Sequence, residues 1–227
     1  MTVGNHLPPP APPAIGVILP TLGRVLVPTF ACLAAQTHRD FCVIVIDQNP
    51  VAQWHPGTPE FRDLGVQEFT PILDGPRGVL LHAPWLRGSS TARNLGIVVA
   101  QQLGCRGLVF IDDDDTFDPD YLACLWALSE AHPEAETVAC DVVLSNGTTL
   151  RRDHYHTSSR LWRMDRASTC RACGHIEEPH VFDDLGPAQD HRFWQTFAPF
   201  APPYCGHAHY QCGDAPVGGL RDASGRF

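Results

Sequence analysis

Short, wholly apolar runs alternate along the first half of the chain with segments whose apolar positions recur every three or four residues. Ile15–Leu19 is such a run, closed by Pro20, and reads as a buried strand. Val25 to Gln36 places Leu26, Phe30, Leu33 and Ala34 at helical spacing, with Pro28 early enough for the first turn to accept it. Phe41–Ile46 is a second apolar strand that ends at Asp47. Residues 48–76 are rich in Pro, Gly and Gln and predict an irregular excursion around one weak strand, Val66–Phe69. Val79–His82 is a further strand, and Thr91–Leu103 a helix with Ser89 or Ser90 available as its cap. Leu108–Ile111 is a strand that runs straight into four aspartates, Asp112 to Asp115. Pro119 then opens a helix to about Ala131, with Asp118 as its cap, and Thr137–Leu144 returns as a strand. Fully apolar strands separated by helices predict an α/β fold: a mostly parallel sheet with helices on both faces.

Beyond Gly147 the periodicity fades, and arginine, histidine, cysteine and tryptophan become dense. The expected organisation is a proline-rich, disordered stretch over 1–14, a cofactor-binding half over 15–147, and an irregular substrate-facing segment over 148–227 of the same domain. A chain of 227 residues is long enough for one domain with a sizeable core. Its net charge of −9 argues against a protein that grips nucleic-acid phosphates or lies on an anionic membrane. All 16 basic residues are arginine, so any mechanism that needs an ε-amine is excluded. No apolar run is long enough to span a membrane, and the start of the chain lacks the pattern of a secretory signal. Nine cysteines cannot all pair within the chain; Cys32, Cys42, Cys105, Cys124 and Cys140 sit in apolar segments as small core residues would. The expectation is a reduced, cytoplasmic protein.

The aspartate run carries the most chemistry. Ligands of open α/β sheets bind at the carboxyl ends of strands, and this run stands at one. Four adjacent carboxylates repel one another unless a cation or strong donors offset them. A hard divalent ion, Mn2+ or Mg2+, suits an all-oxygen site with positions left for phosphate oxygens. The competing reading is a solvated acidic loop ahead of a helix.

Two families own strand ends of this kind. Asp112-Asp113-Asp114-Asp115-Thr116 after Phe110-Ile111 fits the D-x-D-x-T motif of haloacid-dehalogenase phosphatases. That motif normally lies on the first strand of its fold and works with a lysine, whereas here several strands precede it and no lysine exists. The second match runs along most of the chain. In order come Ile15–Thr21 (IGVILPT), Leu33–Thr37 (LAAQT), Val43–Asp47 (VIVID), Ala92-Arg93-Asn94-Leu95-Gly96, and Val109–Leu122 (VFIDDDDTFDPDYL). This succession over about residues 15–145 resembles the family-2 glycosyltransferases of GT-A fold. It departs from their pattern after Asp47, where Gln48-Asn49-Pro50 replaces the usual second acidic residue and serine.

The resemblance implies a metal-dependent enzyme that moves a sugar from a nucleotide-sugar donor to an acceptor hydroxyl of unknown identity, with inversion. Pro20, Thr21, Asp47, Arg93, Asp112 and Asp113 would bind the donor, Asp47 at the base or ribose and Arg93 at the nucleotide or diphosphate. Asp112 and Asp114 would hold Mn2+ or Mg2+, with Asp113 or Asp115 in support, and His207 or His209 near the metal. The family's catalytic base lies in an acidic pair at a helix start. Phe182 to Trp194 resembles that segment with Gln189 before Asp190, which makes Asp190 the base and Asp183 and Asp184 its fallbacks. Trp162 and Trp194 suit a sugar face or the core. Cys170, Cys173, Cys205 and Cys212 are spaced as a candidate structural Zn2+ site, which would equally suit a zinc-stabilised binding module without catalysis.

Overall fold

The computed structural model describes residues 11–24, 26–50, 66–68, 78–144, 146–150, 157–166, 182 and 202–211. Within them lie ten strands and three α-helices: β1 (Ile15–Thr21), α1 (Val27–Ala34), β2 (Phe41–Asp47), β3 (Val66–Glu68), β4 (Gly78–His82), α2 (Gly88–Gln102), β5 (Gly107–Phe110), β6 (Thr116–Phe117), α3 (Tyr121–Ala131), β7 (Thr137–Val143), β8 (Thr149–Leu150), β9 (Arg160–Arg163) and β10 (Tyr204–Gln211). The strands form one sheet in the order β3-β4-β2-β1-β5-β9-β7-β10-β6, with β8 paired to β7. The segment β3-β4-β2-β1-β5 is parallel throughout. β9 enters antiparallel between β5 and β7, and β10 runs parallel to β7.

The apolar runs are apolar because both faces of the sheet are covered. Val17 and Leu19 of β1, Val43 and Val45 of β2, and Val109 of β5 pack on one face with Phe30 and Leu33 of α1 and Tyr121, Leu122 and Leu125 of α3. The alternate residues Ile18, Ile44, Ile46, Leu108 and Phe110 pack on the other face with Ile97, Val99 and Ala100 of α2. Trp162 of β9 is 7% exposed in that second layer, so its role is packing. Among the described residues no helix is long and apolar enough to cross a membrane.

Helix starts differ from expectation. α1 is shorter than Val25–Gln36, with Leu26 at its N-cap and Pro28 in its first turn. α2 begins at Gly88, three residues before Thr91, with Arg87 at the N-cap, and Ser89 and Ser90 lie inside its first turn. α3 starts at Tyr121 after Asp120, whose own side chain makes no cap bond. Asp118 contributes its carbonyl instead, which accepts the Tyr121 N–H at 3.1 Å and the Gln36 side-chain amide at 2.7 Å. Gln36 also accepts the Leu122 N–H at 2.9 Å, so a side chain from just beyond α1 does the capping that Asp118 was expected to do.

Candidate functional site

β1 and β5 are adjacent and parallel, so Thr21 and the aspartate run emerge side by side at the same sheet edge. The Ile111 N–H still reaches the Ile18 carbonyl at 3.0 Å, and a turn closed by Asp115 N–H to Asp112 O at 3.3 Å then splays the four carboxylates apart. Asp113 and Asp115 turn inward and are buried, whereas the side chains of Asp112 and Asp114 are 39% and 22% exposed. Each carboxylate has its own donor. Arg93 reaches Asp112 at 2.7 Å, Thr21 Oγ1 donates to Asp113 at 2.7 Å, and Arg24 bridges Asp113 at 3.1 Å and Asp114. Asp115 accepts the Tyr210 hydroxyl. Two arginines, a threonine and a tyrosine thus relieve the like-charge crowding. Burial still pushes the Asp113 carboxyl up; Thr21 and Arg24 oppose the shift, while Asp114 and Asp112 add to it.

The Ala-Arg-Asn-Leu-Gly segment is the middle of α2, and each of its distinctive residues has a physical task. Arg93 is 3% exposed, with its guanidinium 5.3 Å from the Phe182 ring and ion-paired to Asp112. It is therefore a buried arginine and not a surface one at a helix start. Asn94 brackets residue 182, donating to its carbonyl at 2.8 Å and accepting its N–H at 2.7 Å. Gly96 lets α2 lie against β1, because a Cβ there would fall 2.4 Å from Ile18 Cγ2.

Sequence reasoning passed over Arg24. The signal was the Gly23-Arg24 pair one residue beyond Pro20-Thr21. Gly23 adopts φ +90°, and a Cβ on it would strike the Asn49 side chain. Only glycine allows that bend, and the bend aims Arg24 back at the aspartates. Thr21 Oγ1 accepts the Gly23 N–H at 3.1 Å while it donates to Asp113. Pro20 is buried within β1, in register with Ile46.

Asp47 at the end of β2 is 1% exposed, and its Oδ1 accepts the Asn49 N–H at 2.9 Å, a turn-forming contact. Burial raises its carboxyl; the Asn49 N–H and nearby His82 oppose the shift. The following residues are clamped to neighbouring strand ends, with Gln48 N–H to the Thr21 carbonyl at 2.8 Å and a His82 ring nitrogen 2.7 Å from the Asn49 carbonyl.

Tyr210 was the other omission. It is wholly buried in β10, stacked on Phe117, and its oxygen accepts the Asp112 N–H at 3.3 Å while its proton goes to Asp115. Burial, with Asp115 and Asp112 close by, pushes its phenol far up, so it is a neutral donor throughout the working range. The turn is therefore held from behind by a strand nearly a hundred residues away.

Asp183, Asp184, Gln189, Asp190, Trp194, Cys170, Cys173 and Cys212 lie outside the described residues, as do the side chains of His207 and His209, whose backbone belongs to β10. Among the described residues no three His, Cys, Asp or Glu side chains gather as a metal-ligand group. Cys205 has a partner that the spacing did not suggest: its Sγ is 2.9 Å from that of Cys124 on α3.

The mostly parallel sheet with helices on both faces matches the GT-A-like fold. The chain belongs to glycosyl transferase family 2, whose model matches residues 16–184. This membership favours the second of the two families considered above over the haloacid-dehalogenase phosphatases. Among solved structures, S. aureus TarS 1-349 is similar with a TM-score of 0.62 at 16% identity, over 88% of this chain and 60% of that one. The same fragment in complex with UDP gives 0.63 at 16% identity, over 89% and 61%. Its complex with UDP-GlcNAc gives 0.62 at 16% identity, over 87% and 58%. The chain thus spans about three fifths of that TarS fragment, and at this identity the likeness is one of fold. Curated protein sequences give no match.

Proposed function

We propose that this chain transfers a sugar from a nucleotide-sugar donor to an acceptor hydroxyl, using a divalent cation held by Asp112 and Asp114, with inversion at the sugar. The observation that carries the reading is the division of the aspartate run. Its two exposed members stand at the strand edge where GT-A folds bind nucleotides, each beside an arginine. Two hard carboxylates at an open edge are the donor set that Mg2+ or Mn2+ uses when phosphate oxygens complete its shell, so the residues present fit the ion. Such an ion would supply charge neutralisation for a departing nucleoside diphosphate. Among the described residues Arg24 and Arg93 are cations at this edge and take the role that a lysine would otherwise have.

In the same reading Asp47 and Thr21 face the nucleoside, and Asp190 removes the acceptor proton. UDP and UDP-GlcNAc, bound by the S. aureus TarS structures, are the first donors to try. The acceptor would be met by the segment 148–227.

Thermal shift with a panel of nucleoside diphosphates, with and without Mn2+, tests the reading. A selective rise that needs the metal is expected, together with metal-dependent donor hydrolysis that Asp114→Ala abolishes without loss of fold. Undiminished hydrolysis by that variant would sink the assignment. NMR of the product's anomeric centre checks inversion, and loss of transfer with retained donor binding in Asp190→Asn checks the base.

A further inference from the structure

Three cysteines from distant parts of the chain lie where α3 packs on β7 and β10. Cys124 lies on α3, Cys140 on β7 and Cys205 on β10, where it is in register with Cys140. The Cys124 and Cys205 sulfurs are 2.9 Å apart and both residues are partly exposed, whereas Cys140 is fully buried. We propose that Cys124 and Cys205 are a redox-active pair that closes to a disulfide and staples α3 to β10.

The geometry needs little adjustment. A disulfide sulfur pair is about 2 Å apart, so under an ångström of side-chain movement completes the bond. The comparison within the molecule is Cys42 and Cys105, whose sulfurs are 3.5 Å apart but whose residues are 0% and 6% exposed. That pair is walled into the second core layer, whereas the Cys124–Cys205 pair is open to a small oxidant. Burial and the Cys205 contact push the Cys124 thiol up to about 12. At neutral pH Cys124 therefore rests as a thiol until an oxidant is supplied.

The oxidant class is a low-molecular-weight disulfide. One cysteine, as thiolate, attacks a sulfur of the oxidant and releases the first small thiol, which takes up the proton that this cysteine lost. The second cysteine, as thiolate, then attacks the protein sulfur of the mixed disulfide and releases the second small thiol, protonated in the same way. The two cysteines are oxidised and the small disulfide is reduced to two thiols, with nothing left over.

The position gives the bond a consequence. β10 pairs regularly with β7 at Tyr204 and Cys205 but shifts register on either side of Ala208 before it reaches Tyr210. Tyr210 is the residue that holds Asp112 and Asp115. A staple at Cys205 fixes the regular end of this strand to the helix that follows the aspartate run, and it closes a long loop, since 81 positions separate the two cysteines. The unfolded chain loses freedom while the folded chain changes little.

The test treats the purified 227-residue chain with oxidised glutathione or with dithiothreitol, then maps peptides without reduction. Fragmentation of the cross-linked species separates Cys124 from Cys140. The expected result is a Cys124–Cys205 cross-link with loss of two hydrogens, reversed by dithiothreitol, and a rise in Tm on the order of 5 °C. Cys124→Ser and Cys205→Ser should abolish both effects, and Cys42→Ser should leave them. Stable glutathione adducts on Cys124 or Cys205, or a predominant cross-link to another cysteine, would overturn the proposal from the unmutated chain alone, whatever the variants' stability.

Discussion

The Thr21 hydroxyl donates to the Asp113 carboxylate at 2.7 Å across 92 positions of sequence, and this bond ties the end of β1 to the turn after β5. Both groups are buried, so its loss strands a carboxylate oxygen away from water. Thr21→Val keeps the shape and removes the donor. The variant should lose about 1–3 kcal/mol in urea unfolding with an unchanged m-value. Thr21→Ser, which restores the hydroxyl, should recover most of that loss.

Arg24 predicts a different balance. Its side chain is 31% exposed, so its ion pairs with Asp113 and Asp114 are screened and contribute little to folding. Arg24→Ala should therefore lower stability by no more than about 1 kcal/mol. If the arginine also meets the donor's diphosphate, as the proposed function requires, the same change should weaken nucleoside-diphosphate binding at least tenfold by calorimetry. A large fall in stability with unchanged binding would make Arg24 a structural residue only.

The central strands were readable in the sequence because parallel strands covered on both faces must be apolar at every position, as β1, β2 and β5 are. β9 was not, since Arg160 and Arg163 in a four-residue segment look like a loop. The structure buries Arg163 against Asp165 two residues on and against Ser129, Glu130 and the Trp126 ring, three partners that local sequence does not supply. The helix starts were misread for a related reason: the serines and Asp118 suggested local caps, and tertiary contacts such as Gln36 took their place. At the site, the run itself and Arg93 stood out by motif. Which carboxylates face outward did not, because that depends on Thr21, Arg24 and Tyr210, each about ninety or more positions away.

Asp47 gives a pH dependence. Burial raises its folded pKa above the ordinary carboxylate value, so between the two values the folded state holds more protons than the unfolded state. Stability should accordingly fall as pH rises through the window just above that ordinary value, and the loss persists at neutral pH. Asp47→Asn keeps an oxygen for the Asn49 N–H and carries no charge. Unfolding measured from pH 4 to 7 should show the variant losing less stability than the parent over this range. Donor affinity should fall at the same time if Asp47 meets the nucleoside.

Gly96 ties a motif to packing and not to chemistry. The place of its missing Cβ is 2.4 Å from Ile18 Cγ2 and 3.1 Å from Cγ1, both on the central strand. Gly96→Ala gains helix propensity worth about 1 kcal/mol, but the overlap forces α2 and β1 apart. The clash should outweigh the gain, for a net loss of about 1–2 kcal/mol. Because Arg93 sits one turn earlier on the same helix, displacement of α2 should also lengthen its contact with Asp112 and weaken diphosphate binding. Ile18→Ala alone opens a cavity and is destabilising, but the double variant has room for the new methyl. The two changes should therefore be less than additive, with a coupling of at least about 1 kcal/mol in a double-mutant cycle. Simple additivity would show that the backbone yields at no cost and that the glycine is dispensable for the approach of α2 to β1.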